Sequence, residues 1–565
     1  MKARSLCCFL QNSRQNLGTK TRLPLDKSQL AKKSTWRPFI AAYLRFLRRC
    51  FPLRPRTRSH QEYQVFVLDQ FRRQYIDTGQ LRVLLLHANL IAKLWYADLS
   101  PVFSLLLPRY SKSERGAPPW DPVVLFRCWL CMTLAGYTSA NEWVVTMRTV
   151  PLCAILCGCE PAHTPGVGTL YDFQHRLWLA EKVARRQRRR KHGKPRRKGR
   201  KGEKLDYKRP GVIKRLVDRL ERDRCRLRPQ RPDSLLQEIF RDAFVRPSAQ
   251  KGLLGDVGNL VLAGDSTPIR TGASPYGKRI CNCKEQGIKS CQCPRAYSDP
   301  DASMGWDSYR GCWFYGRHLY EWNAADSPYD LPVYFRLVAG RRHDSVSGVV
   351  TLDECQRLHV EWTVGAVLLD SAHDNYPTYQ MLHNRDITAV IDLNPRAAGK
   401  AVDTNTYKPG EGITLNAEGV PVCAADKAMR YNGFCKGRGR HKWRCPLKPN
   451  LHPEQVVPPC ACSSSSYGRV IYTYHEDNLR FFPRIARGTE AWKTMYAKRT
   501  SVERSNKRKK IDYTLEATRV RSTVAWTWRS MLTAMCQHID AWHAASGCKA
   551  RDLINSWLPA LPSPA

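Results

Sequence analysis

Three carboxylates, far apart in the chain, sit in settings that point to chemistry. Asp265 ends the short apolar run Asn259-Leu260-Val261-Leu262-Ala263-Gly264 and is followed by Ser266 and Thr267. Asp370 ends a second run, Val364-Gly365-Ala366-Val367-Leu368-Leu369, and is followed by Ser371, Ala372 and His373. Glu503 lies in the basic, Gly- and Pro-free stretch from Tyr496 to Lys510, which reads as one helix. At about 100° per residue, Tyr496, Arg499, Glu503 and Lys510 fall within roughly 60° of one another. Carboxylates at strand ends lie at the rim of a sheet, where sites collect. Three hard oxygen donors suit Mg²⁺ or Mn²⁺, with positions left for water and phosphate. Two such ions per site activate a water or a 3′ hydroxyl and stabilise the leaving oxygen in phosphodiester transfer. Taken singly, each aspartate also fits a turn or helix cap, and the basic helix fits a solvated face.

Other groups compete. Asp299, Asp301, Asp307, Asp344 and Asp374 lie near the same elements, but loop aspartates beside Pro or Ser are ordinary turn residues. His373 and His343 are candidate proton relays or DNA contacts, and His318 reads as a satisfied strand residue. Cys281-Asn282-Cys283 and Cys291-Gln292-Cys293 are two thiol pairs with the look of a structural zinc loop. Cys423, Cys435, Cys445, Cys460 and Cys462 are more irregularly spaced, so a purely structural role is their default. Reduced core thiols remain the alternative throughout.

The elements that must position these residues follow from patterning. Residues 1–58 form a basic leader arm containing Arg45, Arg48, Arg49, Arg54, Arg56 and Arg58, with one amphipathic helix around Trp36 to Phe51. Residues 59–180 read as a helical, DNA-binding-like domain, with helices at Leu81 to Trp95, Val123 to Ala135, after Ser139, and after Gly166. Residues 181–231 are a basic linker, including the cationic run Arg185 to Lys201. From 232 to 400 strands and helices alternate, with the cysteine-rich loop at 280–294. Strands are expected at Asn259 to Gly264, Trp313 to Trp322, Leu331 to Val338, Val364 to Leu369 and Ile387 to Leu393. Helices are expected at Ser345 to Leu358 and around Tyr379 to Asn384. Residues 401–485 form a β-rich insertion, 486–548 carry C-terminal helices and 549–565 form a tail. The fold class is multidomain α/β: a mixed sheet flanked by helices, preceded by a helical domain.

Composition narrows the partner. The 565 residues carry a formal net charge of +44, with 42% hydrophobic residues, 16 Trp and 24 Tyr. Such a chain builds cores, and its excess charge favours a large polyanion. The most apolar window, Val123 to Tyr137, is shorter than the ~20 residues of a spanning helix and contains Arg127, so no membrane partner is expected. With 22 cysteines in an otherwise intracellular-looking chain, reduced thiols and a cytoplasmic, nucleoid-associated location are expected.

The spacing Tyr496-x2-Arg499-x3-Glu503-x6-Lys510, with Asp265 and Asp370, resembles the DDE transposases of bacterial insertion sequences that carry the Tyr-Arg-Glu-Lys signature. The likeness covers about 255 to 545, and is weaker over 60 to 180. It implies an RNase H-like catalytic domain with Asp265, Asp370 and Glu503 as catalytic, Mg²⁺-holding acids. It implies that Tyr496, Arg499 and Lys510 contact transposon-end DNA, while Lys498, Arg504, Lys507, Arg508 and Lys509 attract phosphate generally. It also implies a β-rich insertion bracing the DNA end, with Trp443 as a candidate stacking wedge beside the plainer reading of a buried structural Trp. The implied activity is cleavage at terminal inverted repeats and joining of 3′ ends to target DNA, by a homodimer in the synaptic complex. Two alternatives stay open: a domesticated or inactive DNA-binding relative, and an RNase H-like metal-dependent nuclease that never joins strands.

Overall fold

The computed structural model describes residues 57–110, 119–179, 210–394, 410–448, 463–465 and 467–558. Residues 1–56 of the leader arm, with its expected helix, the cationic run, Cys460 and Cys462 lie outside these residues, while Arg58 at the end of the arm donates to the Gly158 carbonyl at 2.7 Å. The described residues from 57 to 109 and from 119 to 558 belong to one compact unit.

The helical region comprises α1 (His60–Phe71), α2 (Leu81–Leu86), α3 (Ala88–Trp95), α4 (Ser100–Leu106), α5 (Pro122–Leu134), α6 (Ala140–Thr149), α7 (Pro151–Cys157) and α8 (Val167–Arg176). The expected helix from Leu81 to Trp95 is divided at His87. Asp121 caps α5 through the Val123 amide and Pro122 occupies its first turn, the favoured chemistry for a helix start. The expected linker to 231 is corrected, because α9 (Val212–Arg222) occupies part of it and buries Leu216, Val217 and Leu220. Arg385, itself buried, donates to Glu221 at 2.7 Å and ties α9 to the body. Next come α10 (Ser234–Phe240) and α11 (Arg246–Gln250), joined through a π-helical turn, Arg241–Val245.

The central sheet begins with β1 (Leu260–Arg270). The small ribbon β2 (Lys278–Arg279) with β3 (Arg295–Ala296) follows, then β4 (Ser303–Asp307), β5 (Cys312–Ala324) and β6 (Pro332–Ala339). After α12 (Asp344–Leu358) come β7 (Val364–Leu369), α13 (Tyr376–Asn384) and β8 (Thr388–Ile391). The sheet order is β4-β5-β1-β7-β8, with β6 also on β5. β4 pairs the first part of β5 and β6 the second. β1 runs antiparallel to β5 and parallel to β7, and β7 parallel to β8. Across the middle, therefore, the order is β6-β5-β1-β7-β8, three antiparallel strands followed by two helix-linked parallel ones. One sequence expectation fails here: β1 does not stop at Asp265 but continues five residues to Arg270. Ser266, Thr267 and Pro268 carry no apolar signal, yet pairing with β5 holds them extended.

The insertion folds as a hairpin, β9 (Thr414–Leu415) with β10 (Pro421–Val422), and an antiparallel sheet, β11 (Arg430–Cys435), β12 (Arg440–Arg444) and β13 (Val470–Tyr474). Its core gathers Ile413, Val420, Met429, Trp443 and Ile471. The chain returns through α14 (Glu490–Ala497), α15 (Thr500–Ile511), α16 (Thr523–Ala545) and α17 (Ala550–Asn555). The tail from 549 thus contains a helix, with Leu553 and Ile554 buried and Trp557 4.8 Å from the Trp95 ring. α16 is the element that unites the molecule. Its Trp528 ring lies within 5.7–6.4 Å of Phe126, Trp129 and Phe173 from the helical region. Its His538 accepts or shares a proton with Ser248 and reaches the Pro332 carbonyl at the sheet. Among the described residues no single helix is long and apolar enough to cross a membrane.

Candidate functional site: an acidic cluster beneath a basic helix

Strand alternation places the two aspartates together. Ala263 pairs with Leu368 across β1 and β7, and Asp265 and Asp370 each lie two residues further on, with Asp370 still extended. Neighbouring strands are about 4.8 Å apart, so both carboxylates leave the same face of the sheet side by side. That face is the one α15 covers: Val261, Ala263, Leu368 and Val390 pack against Val502. Glu503 is the next residue of α15, placed at the edge of this contact and half exposed.

Gly264 lets the neighbouring face close. A Cβ there would lie 2.4 Å from Cζ3 of Trp322, its partner on β5. Trp322 donates its indole N–H to Thr351 of α12 at 2.8 Å, so its ring lies flat over Gly264 and ties the strand carrying Asp265 to α12.

Asp265 is half-buried, and its carboxyl is pushed up to about 7 by burial first, then by the charges of Asp370 and Asp344. The Ser266 amide and the Arg499 guanidinium oppose that rise. Asp370 moves the other way. Burial acts against its ionised form, but a hydrogen bond and charge from His373, with Arg499, outweigh it and hold the carboxyl below the usual range. His373 is buried, with Nδ1 2.7 Å from Asp370 Oδ1 and Nε2 2.8 Å from the Tyr320 hydroxyl. Burial lowers its pKa, yet Asp370, Asp344 and Asp265 raise it overall. Two carboxylates in similar places are thus driven apart in proton affinity by their neighbours.

The Tyr496–Lys510 stretch is not one helix. The chain breaks between α14 and α15 at Lys498 and Arg499, so Tyr496 stacks on Trp492 at 4.6 Å within α14 while Arg499 precedes α15. Arg499 donates through Nη2 to Glu503 at 2.7 Å, and its charge reaches both Asp265 and Asp370. Its Nε is buried and has no hydrogen-bond partner. Arg499 therefore stands where the three acids converge, and Glu503 is turned to it; these acids are not drawn into the tight grouping that the four loop thiols form. Lys510 donates to the Pro268 carbonyl of β1 at 2.8 Å, and burial lowers its pKa.

Most of the remaining cations are already engaged, which corrects the expectation of general phosphate attraction. Lys498 pairs with Asp326, Arg504 with Asp330, and Arg508 with Asp540. Lys509 is fully buried against Glu321 at 2.6 Å, with Ser505 and Gln537 completing the network. Of that set Arg504 and Lys507 are exposed. Glu321 is the register partner of Asp265, so this buried pair sits beside the acidic cluster and seats α15 on the sheet. It went unseen in sequence, where Lys509 is one cation in a run.

The competing acids separate cleanly. Asp299 is locked to Arg317, Asp307 to Arg270 and Asp374 to Arg480, while Asp301 accepts from Thr523. Asp344 differs. At the start of α12 it accepts the Ser266 hydroxyl at 2.5 Å, and its charge reaches Asp265. His318 shares that hydroxyl at 3.2 Å, in keeping with a satisfied strand histidine. His343 caps α12 through the Ser345 amide. Trp443 is buried with its N–H on Thr473 at 2.9 Å, so it is a core residue and not a wedge. Cys423 and Cys445 are buried and Cys435 is exposed.

The acidic cluster fits a hard divalent cation: two adjacent aspartates on one face, one of them raised by burial and then by like charge, both of which a cation would offset. Asp265 and Asp370 would hold it, while Glu503 is engaged by Arg499.

No protein-family model matches the chain, and no curated protein matches it. Among solved structures, the chain is similar to a piggyBac transposase in a synaptic complex with hairpin DNA, at 10% identity and a TM-score of 0.32, over 84% of this chain and 83% of that one.

Proposed function

We propose that this chain is a DNA transposase of the DDE type, built on an RNase H-like sheet. The strand order β6-β5-β1-β7-β8, antiparallel on one side of β1 and parallel on the other, supports that reading. The observation that carries the reading is the pairing of Asp265 and Asp370 on adjacent strands beneath the helix bearing Glu503. The Tyr496, Arg499, Glu503 and Lys510 spacing supports membership in the Tyr-Arg-Glu-Lys group.

In the reaction, water attacks a phosphodiester at the element's end, the bond to the 3′ oxygen breaks, and a 3′ hydroxyl is freed. That hydroxyl then attacks a target phosphodiester and displaces its 3′ oxygen. Mg²⁺ or Mn²⁺ held by Asp265 and Asp370 would supply charge stabilisation for the attacking and leaving oxygens. The protein's own groups do the rest. His373 fixes Asp370 in its ionised form, Asp344 and Ser266 brace the Asp265 strand, and Arg499 offers a guanidinium with a spare donor to a phosphate oxygen. Tyr496 and Lys510 lie at the two ends of the same region and contact end DNA. A pair of protomers synapses the two element ends.

A strand-transfer assay on end-containing DNA with Mg²⁺ tests this. Joined product from the wild-type chain, lost in Asp265→Asn and Asp370→Asn with DNA binding retained, is expected. Cleavage without joining would make it a nuclease, and binding without a metal-dependent product would make it a DNA-binding protein only. Full activity in Asp265→Asn would remove the acid assignment.

A further inference from the structure

A second cluster of reactive side chains lies outside the acidic site, in the loop that links β1 to β4. Cys281 Sγ is 3.5 Å from Cys291 Sγ, and Cys283 Sγ is 3.5 Å from Cys293 Sγ. All four sulfurs lie within 4.8 Å of one another. Each thiol of the first pair therefore meets the thiol ten residues on. The turn between them is built for this return: Asn282–Lys284 is a 3₁₀ turn, Gly287 adopts φ +75°, and the Ile288 amide donates back to the Cys283 carbonyl at 2.8 Å.

Four thiolates on a tetrahedral ion with metal–sulfur bonds of ~2.3 Å would be ~3.8 Å apart. The observed separations bracket that value. Apart from the four thiols, the lobe is held by a few surface hydrogen bonds, such as Arg279 to the Lys289 carbonyl at 2.7 Å and Arg295 to the Tyr276 carbonyl at 3.1 Å. β2 and β3 pair over two residues each, and a ribbon that short is marginal in water. Tyr276, Ile280 and Ile288 are exposed at 73%, 46% and 46%, so no apolar core forms around it. A lobe without a core calls for a covalent or metal staple.

We propose that Cys281, Cys283, Cys291 and Cys293 form a closed tetrathiolate site for one structural zinc ion, which staples the β2–β3 lobe. With four protein ligands there is no open position for water or substrate, so the ion holds structure and does no chemistry. Soft sulfur also keeps this site distinct from the hard oxygen donors at Asp265 and Asp370. The charge of a zinc tetrathiolate, two negative, is balanced locally by Lys278, Arg279, Lys284, Lys289 and Arg295. The proposal stands whether or not the chain transposes DNA.

The test is metal content of the purified full chain, read by mass spectrometry. About one zinc per chain is expected, and Cys281→Ser/Cys291→Ser should lose about one equivalent while Cys423→Ser/Cys445→Ser keeps it. Replacing zinc by Co²⁺ should give thiolate charge-transfer and tetrahedral ligand-field bands, absent in the first variant. Trypsin should cut after Lys284 and Lys289 at least tenfold faster once the metal is stripped. A wild-type chain without zinc and without the cobalt bands would overturn the proposal, as would full zinc retention in Cys281→Ser/Cys291→Ser. Should that variant not fold, Cys293→His decides: it must bind Co²⁺ with a shifted spectrum, and an unchanged spectrum overturns the assignment.

Discussion

Replacing Asp265 by Asn should stabilise the metal-free protein at pH 8 although it abolishes the proposed chemistry. The Asp265 carboxyl rises from 3.8 to about 7, through burial first and then through Asp370 and Asp344. Ionising it in the folded state therefore costs up to about 4 kcal/mol relative to the unfolded chain. The side chain keeps some exposure, and solvent screening reduces the expected cost to about 1–2 kcal/mol. Because the folded pKa is raised, the associated stability is fully present below 3.8 and is lost as pH rises through about 7. Asn carries no charge, and its side-chain oxygen can still accept the Ser266 amide, so the variant escapes that loss. In chelator, thermal melts should show the variant level with wild type near pH 4 and more stable at pH 8. For a chain of this size about 1 kcal/mol corresponds to roughly 1 °C, giving a gap of about 1–2 °C. Adding Mg²⁺ at ten times its Kd should then stabilise wild type by about 1.4 kcal/mol and leave the variant unmoved. A variant equal to or less stable than wild type at pH 8 without metal would refute the raised proton affinity that burial and like charge give Asp265. An equal response of both proteins to Mg²⁺ would refute the placement of the cation.

Further consequences follow from the groups around the cluster. Lys509→Met should destabilise by about 3–5 kcal/mol in thermal or denaturant melts, because it leaves Glu321 charged and unpaired in the core. Lys509→Met with Glu321→Leu should recover much of that loss, and a double variant as unstable as the single would show that the pair is not what matters. His373→Gln should weaken Mn²⁺ binding about 10–100-fold by releasing Asp370, while shifting the melting temperature little. Unchanged Mn²⁺ affinity in a titration would remove His373 from the site.

Much of the site was legible because some residue types are informative where they stand. The apolar runs before Asp265 and Asp370 locate β1 and β7, since a buried parallel strand must be continuously apolar on both faces. The spacing of Tyr496, Arg499, Glu503 and Lys510, and of the paired cysteines, is likewise a property of the chain alone. Charge runs were not legible in the same way. Lys507 and Lys509 are indistinguishable as sequence, yet one is exposed and the other fully buried on Glu321. The turn at Lys498 and Arg499 also left no mark, because nothing in those residue types breaks a helix.

By itself, then, the sequence determined which acids follow the apolar runs, where the two Cys-x-Cys units stand, and that the chain is strongly cationic. Only the tertiary structure decided the register that sets Asp265 beside Asp370, the partners that push their proton affinities apart, and the seating of α15 through Lys509 and Glu321. The reason is physical: local pattern fixes which face a residue takes, but a charge acquires its role from neighbours hundreds of residues away, which only packing brings within a few ångströms.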